Sequence, residues 1–189
     1  MMFERFAADA RSAVIDAQEI ARRRGARSIE AVHLLLAVAE QDGPAARALG
    51  ATGVTAPALD RLATATESAD ALDRDALAAL GIDLDAVRAR TDATFGAGAL
   101  ERAGRRRRRG HLRFTTEAAK ALERSLREAI DLRSRSIDTG HVLLALLRAD
   151  GTTAQRTLVA ALTEAGADAD ALRAALEGPR AHGDGRAAS

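Results

Sequence analysis

Four histidines, one lysine and no cysteine make up a short supply of side chains for acid–base, nucleophilic or metal chemistry in a chain of 189 residues. The lack of cysteine removes disulfides, thiolate nucleophiles and thiolate metal sites together, and fits a reducing compartment. His33 and His141 stand 108 positions apart, each at the start of an apolar segment. In that position a buried imidazole bonded to backbone is the ordinary outcome. His111 and His182 fall outside those segments, and no metal-ligand spacing joins the four. Lys120, the single lysine, lies within an amphipathic helical pattern. A Gly-rich phosphate loop ending in Lys-Ser or Lys-Thr is therefore excluded, and ATP hydrolysis by these residues with it. No serine occupies a nucleophile elbow. Carboxylates are spread over helical surfaces, where capping and pairing with arginine account for them. Asp83 and Asp168 each follow a Gly and precede an apolar helix, an N-cap pattern. The residues thus predict a protein that is not an enzyme, with no cofactor and no metal.

The elements that hold these histidines come in duplicate. Ser28-Ile29 through His33-Leu34-Leu35-Leu36-Ala37-Val38 reappears as Ser136-Ile137 through His141-Val142-Leu143-Leu144-Ala145-Leu146. Each copy opens on polar residues able to cap a helix and then is apolar nearly all round, so each must be the centre of a packed unit. Ahead of the first copy, Phe3, Phe6, Ala10, Ala13, Val14, Ala17, Ile20 and Ala21 recur at helical spacing, predicting a helix from Phe3 to Arg24 that Gly25 stops. Its counterpart is Thr115 to Leu132, with Ala118, Ala121, Leu122, Leu126, Ala129 and Ile130 on the apolar stripe. Phe114 matches Phe6, and Asp150-Gly151 matches Asp42-Gly43, all at the same offset. Pro44 can begin the next helix. Further on, Gly81 to Ala89 resembles Gly166 to Ala174 at an offset of 85, which places about 23 additional residues, rich in Ala, Leu and Thr, between Gly50 and Leu80. We expect these to form an extra packing helix.

Between the halves lie four glycines and the run Arg105 to Arg109, whose like charges repel and stay solvated, as in an exposed linker. The division expected is a first repeat over 2–96 with its insertion at about 50–80, a linker over 97–111, a second repeat over 112–178, and a small polar tail over 179–189 that is disordered. Hydrophobic residues make up 47% without Trp or Tyr, so burial rests on Leu, Ile, Val and Ala in closely packed helices. A net charge of +1 argues against a global nucleic-acid field. No signal pattern opens the chain and no apolar run approaches a membrane span, so a cytoplasmic location is expected.

Met2-Phe3-Glu4-Arg5-Phe6, the two His-containing copies, Leu80-Gly81-Ile82 with Leu84 and Val87-Arg88, and Gly110-His111-Leu112-Arg113-Phe114-Thr115 together resemble the double N-terminal repeat of the Clp ATPases, closest to the ClpC type. The resemblance spans about residues 2 to 178. It implies an all-α fold of two tandem four-helix repeats related by pseudo-twofold symmetry, here without the ATPase rings. It also implies a protein- and peptide-binding module that recognises substrates and docks adaptors in Clp protein quality control. Its partners would be polypeptide substrates, adaptor proteins, Clp components or Clp-directed cyclic peptides. Matched position by position, the groove between the two first helices would use Phe3, Val14, Gln18, His111, Phe114, Lys120 and Glu123. In ClpC-type domains that bind phosphoarginine an acidic residue precedes each repeat's His. Val32 and Gly140 stand there instead, so phosphoarginine binding is not expected. Arg113 replaces the usual proline before Phe114, which alters the groove. The alternative, a nucleic-acid-associated regulator, would rest on Arg105 to Arg109, against which the neutral overall charge argues.

Overall fold

Two segments of the chain cannot meet water on any side, and the other helices are wound round them. The computed structural model describes the backbone over residues 2–79 and 112–177, with side chains over 4–70 and 112–177. The first half holds α1 (Ala8–Arg23), α2 (Ala31–Glu40), α3 (Pro44–Ala51) and α4 (Ala56–Ala79). The second holds α5 (Thr116–Asp131), α6 (Thr139–Leu147), α7 (Thr153–Glu164) and α8 (Ala169–Glu177). The fold is all-α, two four-helix repeats. In α2 every residue from Ala31 to Val38 is buried, and α6 is buried along its whole length, as their unbroken apolar sequences require.

The two units interlock rather than stand apart. α1 packs on α2 and touches α6; α5 packs on α6 and touches α2. On the other side, α3 packs on α6 and α8, while α7 packs on α2 and α4. Each third helix thus crosses into the opposite repeat, so one continuous core runs through both. α4 holds the place in the first half that α8 holds in the second. Gly53 (φ +77°) and Gly166 (φ +72°) start them through the same turn, with Val54 N–H on Leu49 O and Ala167 N–H on Leu162 O. Among the described residues, α4 carries part of the additional length of the first half, with 24 residues against the 9 of α8. The stretch Gly81 to Ala89, the arginine run and the tail lie outside the described residues.

The helix expected from Phe3 starts only at Ala8, because the chain before it has another use. A 3-10 helix covers Met2–Arg5, and Phe6 is then extended in a parallel bridge with Ile137. Phe114 pairs with Ile29 in the same way. Ala7 N–H donates to Ile137 O at 2.8 Å and Ile137 N–H to Arg5 O at 2.8 Å. Thr115 N–H donates to Ile29 O at 2.9 Å and Ile29 N–H to Arg113 O at 2.9 Å. Every partner in one bridge maps onto its partner in the other at the offset of 108, so the internal twofold relation extends to individual hydrogen bonds.

A candidate polypeptide-docking face on the first helix of each repeat

The bridges set the geometry of this face. Phe6 lies just ahead of α1 and pairs with Ile137, which follows α5; Phe114 lies just ahead of α5 and pairs with Ile29, which follows α1. The two helices therefore run in opposite directions between the bridges, over α2 and α6. At 16 residues each, they span about 24 Å.

Of the expected site residues, five fall in the region where side chains are described. Val14 and Gln18 are half-buried, one turn apart on α1. Phe114 is half-buried beside the second bridge and packed against the core. Lys120 and Glu123 are exposed, one turn apart on α5. The side chain of Phe3 and the whole of His111 lie outside the described residues. No candidate with a described side chain is sealed inside the core. Phe6, by contrast, is 2% exposed and plugs the bundle.

Two residues on this face escaped the sequence reading. Ile15 is 68% exposed on α1, at the position equivalent to Glu123 on α5. The repeat offset alone would have found it, since one member of the pair was already a candidate. Ile130, assigned to the buried stripe of α5, is 60% exposed. There the helix turns Ser125 and Glu128 inward instead. Ser125 Oγ bonds Leu122 O at 2.6 Å, and Glu128 accepts from Arg148 at 3.1 Å. These partners satisfy polar groups on a side that the apolar period assigns to Ile130.

His33 and His141 are structural. Each is the third residue of its helix, and its Nδ1 accepts a backbone N–H: that of Glu30 for His33 at 2.9 Å, that of Asp138 for His141 at 3.0 Å. Asp138 Oδ1 in turn accepts from His141 N–H at 3.2 Å, which closes a capping box with histidine in the place of the usual Glu or Gln. Burial pushes the pKa of His33 down from 6.5 to about 4, with Glu67 opposing the shift and Arg24 adding to it. Neutral and accepting at Nδ1, the His33 imidazole carries its proton on Nε2. Asp168 caps α8 as expected, its Oδ1 accepting from Ala171 N–H at 2.7 Å. Val32 and Gly140, where the phosphoarginine carboxylates would stand, are buried. A Cβ on Gly140 would come within 3.0 Å of both Asp138 Oδ1 and Pro44 Cβ.

Among the described residues no three His, Asp or Glu side chains are grouped to hold a metal ion, and no helix is long and apolar enough to cross a membrane.

Comparison with known proteins agrees with this architecture. The N-terminal domain of the chaperone ClpD from Arabidopsis thaliana superposes with a TM-score of 0.54 at 20% identity, over 92% of this chain and 96% of that one. A chain from a malarial protein secretion system gives a TM-score of 0.55 at 15% identity, over 92% of each. At these identities the likeness is one of fold. The Clp repeat (R) N-terminal domain matches at residues 5–74, 62–161 and 113–187, which between them take in both repeats and nearly the whole sequence. The chain belongs to the Clp repeat N-terminal domain family.

Proposed function

We propose that the protein is a non-catalytic polypeptide-recognition module of a Clp quality-control system, taking substrate or adaptor segments on the face formed by α1 and α5. The observation that carries this reading is the unequal fate of two equivalent residues: Phe6 is consumed by the core, whereas Phe114 is half-buried between core and surface. Along the same two helices stand Ile15, in the middle of α1, and Ile130, at the end of α5 away from Phe114, both largely exposed. Large apolar side chains set along one face among polar neighbours are what an amphipathic or extended peptide needs as anchors. The absence of a phosphate loop and the purely structural use of both buried histidines support a role without catalysis.

The test is a titration of the purified chain with a permanently unfolded polypeptide and with a Clp adaptor, monitored by amide chemical shifts. Shifts should concentrate on α1, α5 and the residues ahead of them, and Phe114→Ala with Ile15→Ser should weaken binding about tenfold. Shifts confined to α4, α7 and α8, or affinity unchanged in that double variant, would refute the assignment.

A further inference from the structure

The two bridges carry more than the twofold relation. Between residues 4 and 28 and their counterparts 112 to 136, most charged positions change character across the repeat: Glu19 becomes Arg127, Arg23 becomes Asp131, Arg22 becomes Ile130 and Ser12 becomes Lys120. Of the positions exposed in both halves, only two keep their charge, and both are arginine: Arg5 with Arg113, and Arg27 with Arg135. They are also the residues nearest the bridges. Arg5 and Arg113 supply the carbonyls that accept from Ile137 and Ile29, and Arg135 and Arg27 stand two residues before those isoleucines. Each bridge therefore bears an arginine on both of its strands.

All four guanidinium groups are exposed, and none has an ion-pair partner among the described residues. The arginines of α4, α7 and α8 differ. Arg61 pairs with Glu164, Arg156 with Asp70 at 2.6 Å, and Arg173 with Asp170 at 2.6 Å. Arg24, at the end of α1, is held by Asp60 and Glu67 of α4. Carboxylates are abundant enough to pair arginines elsewhere, yet both ends of the α1/α5 face keep unpaired positive charge.

We infer that this face takes an acidic polypeptide segment: carboxylate side chains at its two ends meet Arg5 and Arg135 at one bridge and Arg113 and Arg27 at the other, an apolar middle lies over Ile15, and Phe114 stands beside the second cluster. The inference rests on the polypeptide-binding reading above and specifies the chemistry of the partner. Arginine suits the task because its planar fork matches a carboxylate with two parallel hydrogen bonds. The bridges lie about 24 Å apart along the helices. That distance matches roughly seven residues of extended chain or sixteen of helix between the two acidic clusters. At such a separation the two ends act as independent electrostatic clamps, screened by salt over about 10 Å at 0.1 M.

The experiment uses the full chain and three fluorescein-labelled peptides of about 18 residues that share one apolar middle and end on both sides in Glu, in Lys or in Ser clusters. Fluorescence anisotropy at low and high salt reads affinity, with single-stranded RNA as a competitor. The Glu-ended peptide should bind about tenfold or more tighter than the Lys-ended one, with the Ser-ended peptide between them, and the gap should close as salt rises. Arg27→Ala with Arg135→Ala, both on exposed loops, should erase the preference while leaving the melting temperature unchanged, and Arg27→Glu with Arg135→Glu should reverse it. Equal binding of all three peptides would overturn the inference and leave polypeptide recognition standing. Binding of none would overturn both. RNA displacing the Glu-ended peptide and losing affinity in the same arginine variants would overturn it in favour of a nucleic-acid ligand.

Discussion

The two bridges are built from equivalent residues on one backbone plan, yet one is locked and the other is not. At the first, Phe6 is buried, Arg11 Nε donates to Phe6 O at 3.1 Å, and Asp9 Oδ2 accepts from both Thr139 N and Thr139 Oγ1 at 3.0 and 2.9 Å. At the second, the equivalent of Arg11 is Ala119, that of Thr139 is Ala31, and that of Asp9 is Glu117, which is exposed. Ala119 has no guanidinium and Ala31 no hydroxyl, so two of these three ties cannot be made there. Phe114 accordingly stays half-buried. Duplication gave the chain two copies of one seam; divergence spent one copy on cohesion and left the other with an aromatic ring at the surface.

The comparison breaks most directly at the aromatic pair. Phe6→Ala should cost about 3–5 kcal/mol, the usual toll for emptying a buried aromatic site. Phe114→Ala should cost about 1 kcal/mol, because a half-buried ring has less area to lose to solvent, while weakening polypeptide binding by part of the loss expected of the double variant. Urea unfolding and a binding titration on both variants separate the two effects. Equal destabilisation by the two substitutions would mean that the seam is symmetric in energy as well as in plan.

The second largest effect belongs to the first repeat's histidine. Since burial lowers the pKa of His33 from 6.5 to about 4, the unfolded chain binds a proton there that the folded chain refuses. Its contribution is fully present above pH 6.5 and is lost as pH falls towards 4, to a ceiling of about 3 kcal/mol. The imidazole is faced by Glu67 and Arg24, themselves ion-paired at 2.8 Å, and its Nδ1 must release the Glu30 N–H when it takes up the proton. Unfolding free energy between pH 7 and pH 4.5 should therefore fall more steeply in the wild type than in His33→Gln. Parallel pH profiles would rule out His33 as the titrating group.

What was legible in the sequence was what short-range order determines. The unbroken apolar runs fixed α2 and α6, the offset of 108 fixed the duplication, and the backbone-bonded histidines followed from their place at a helix start. The errors came from contacts that periodicity does not contain. Helix α1 begins at Ala8 instead of Phe3 because Phe6 pairs with Ile137, far along the chain. Ile130 faces water because Glu128 turns inward to meet Arg148. Of the candidate site, the half-buried or exposed positions Val14, Gln18, Phe114, Lys120 and Glu123 came from family resemblance. Ile15 follows from the twofold relation, as the counterpart of Glu123, and from no apolar period of its own helix.

A smaller effect tests the lock itself. Asp9 holds the start of α6 from the neighbouring repeat, and the fit around it is close: a Cβ on Gly43 would press on Thr139 Oγ1 and come within 2.7 Å of Asp9 Oδ2. Asp9→Ala leaves the Thr139 N–H and hydroxyl without their acceptor in a buried site, so it should cost about 1–3 kcal/mol. Glu117→Ala, its counterpart, should stay within about 0.5 kcal/mol. Thermal unfolding of the pair decides whether the asymmetry of the seam is energetic or only geometric.

The smallest effect concerns how the first helix of each repeat ends. After α1, Gly25 takes φ +69°, with its N–H on Arg22 O and that of Ala26 on Ala21 O. After α5 the equivalent residue is Arg133 at φ +52°, with its N–H on Ile130 O and that of Ser134 on Ala129 O. The turn is the same, but glycine has no Cβ to crowd in it whereas arginine does, so the second repeat stores backbone strain that the first does not. Arg133→Gly should stabilise the protein by about 0.5–1 kcal/mol, because relief of the left-handed penalty exceeds the entropy glycine adds to the unfolded chain. Gly25→Arg should destabilise by a similar amount. A melting temperature that falls in Arg133→Gly would mean that the arginine contributes interactions at the first bridge which outweigh its strained backbone, and would tie Arg133 to the charge that Arg5 and Arg135 carry there.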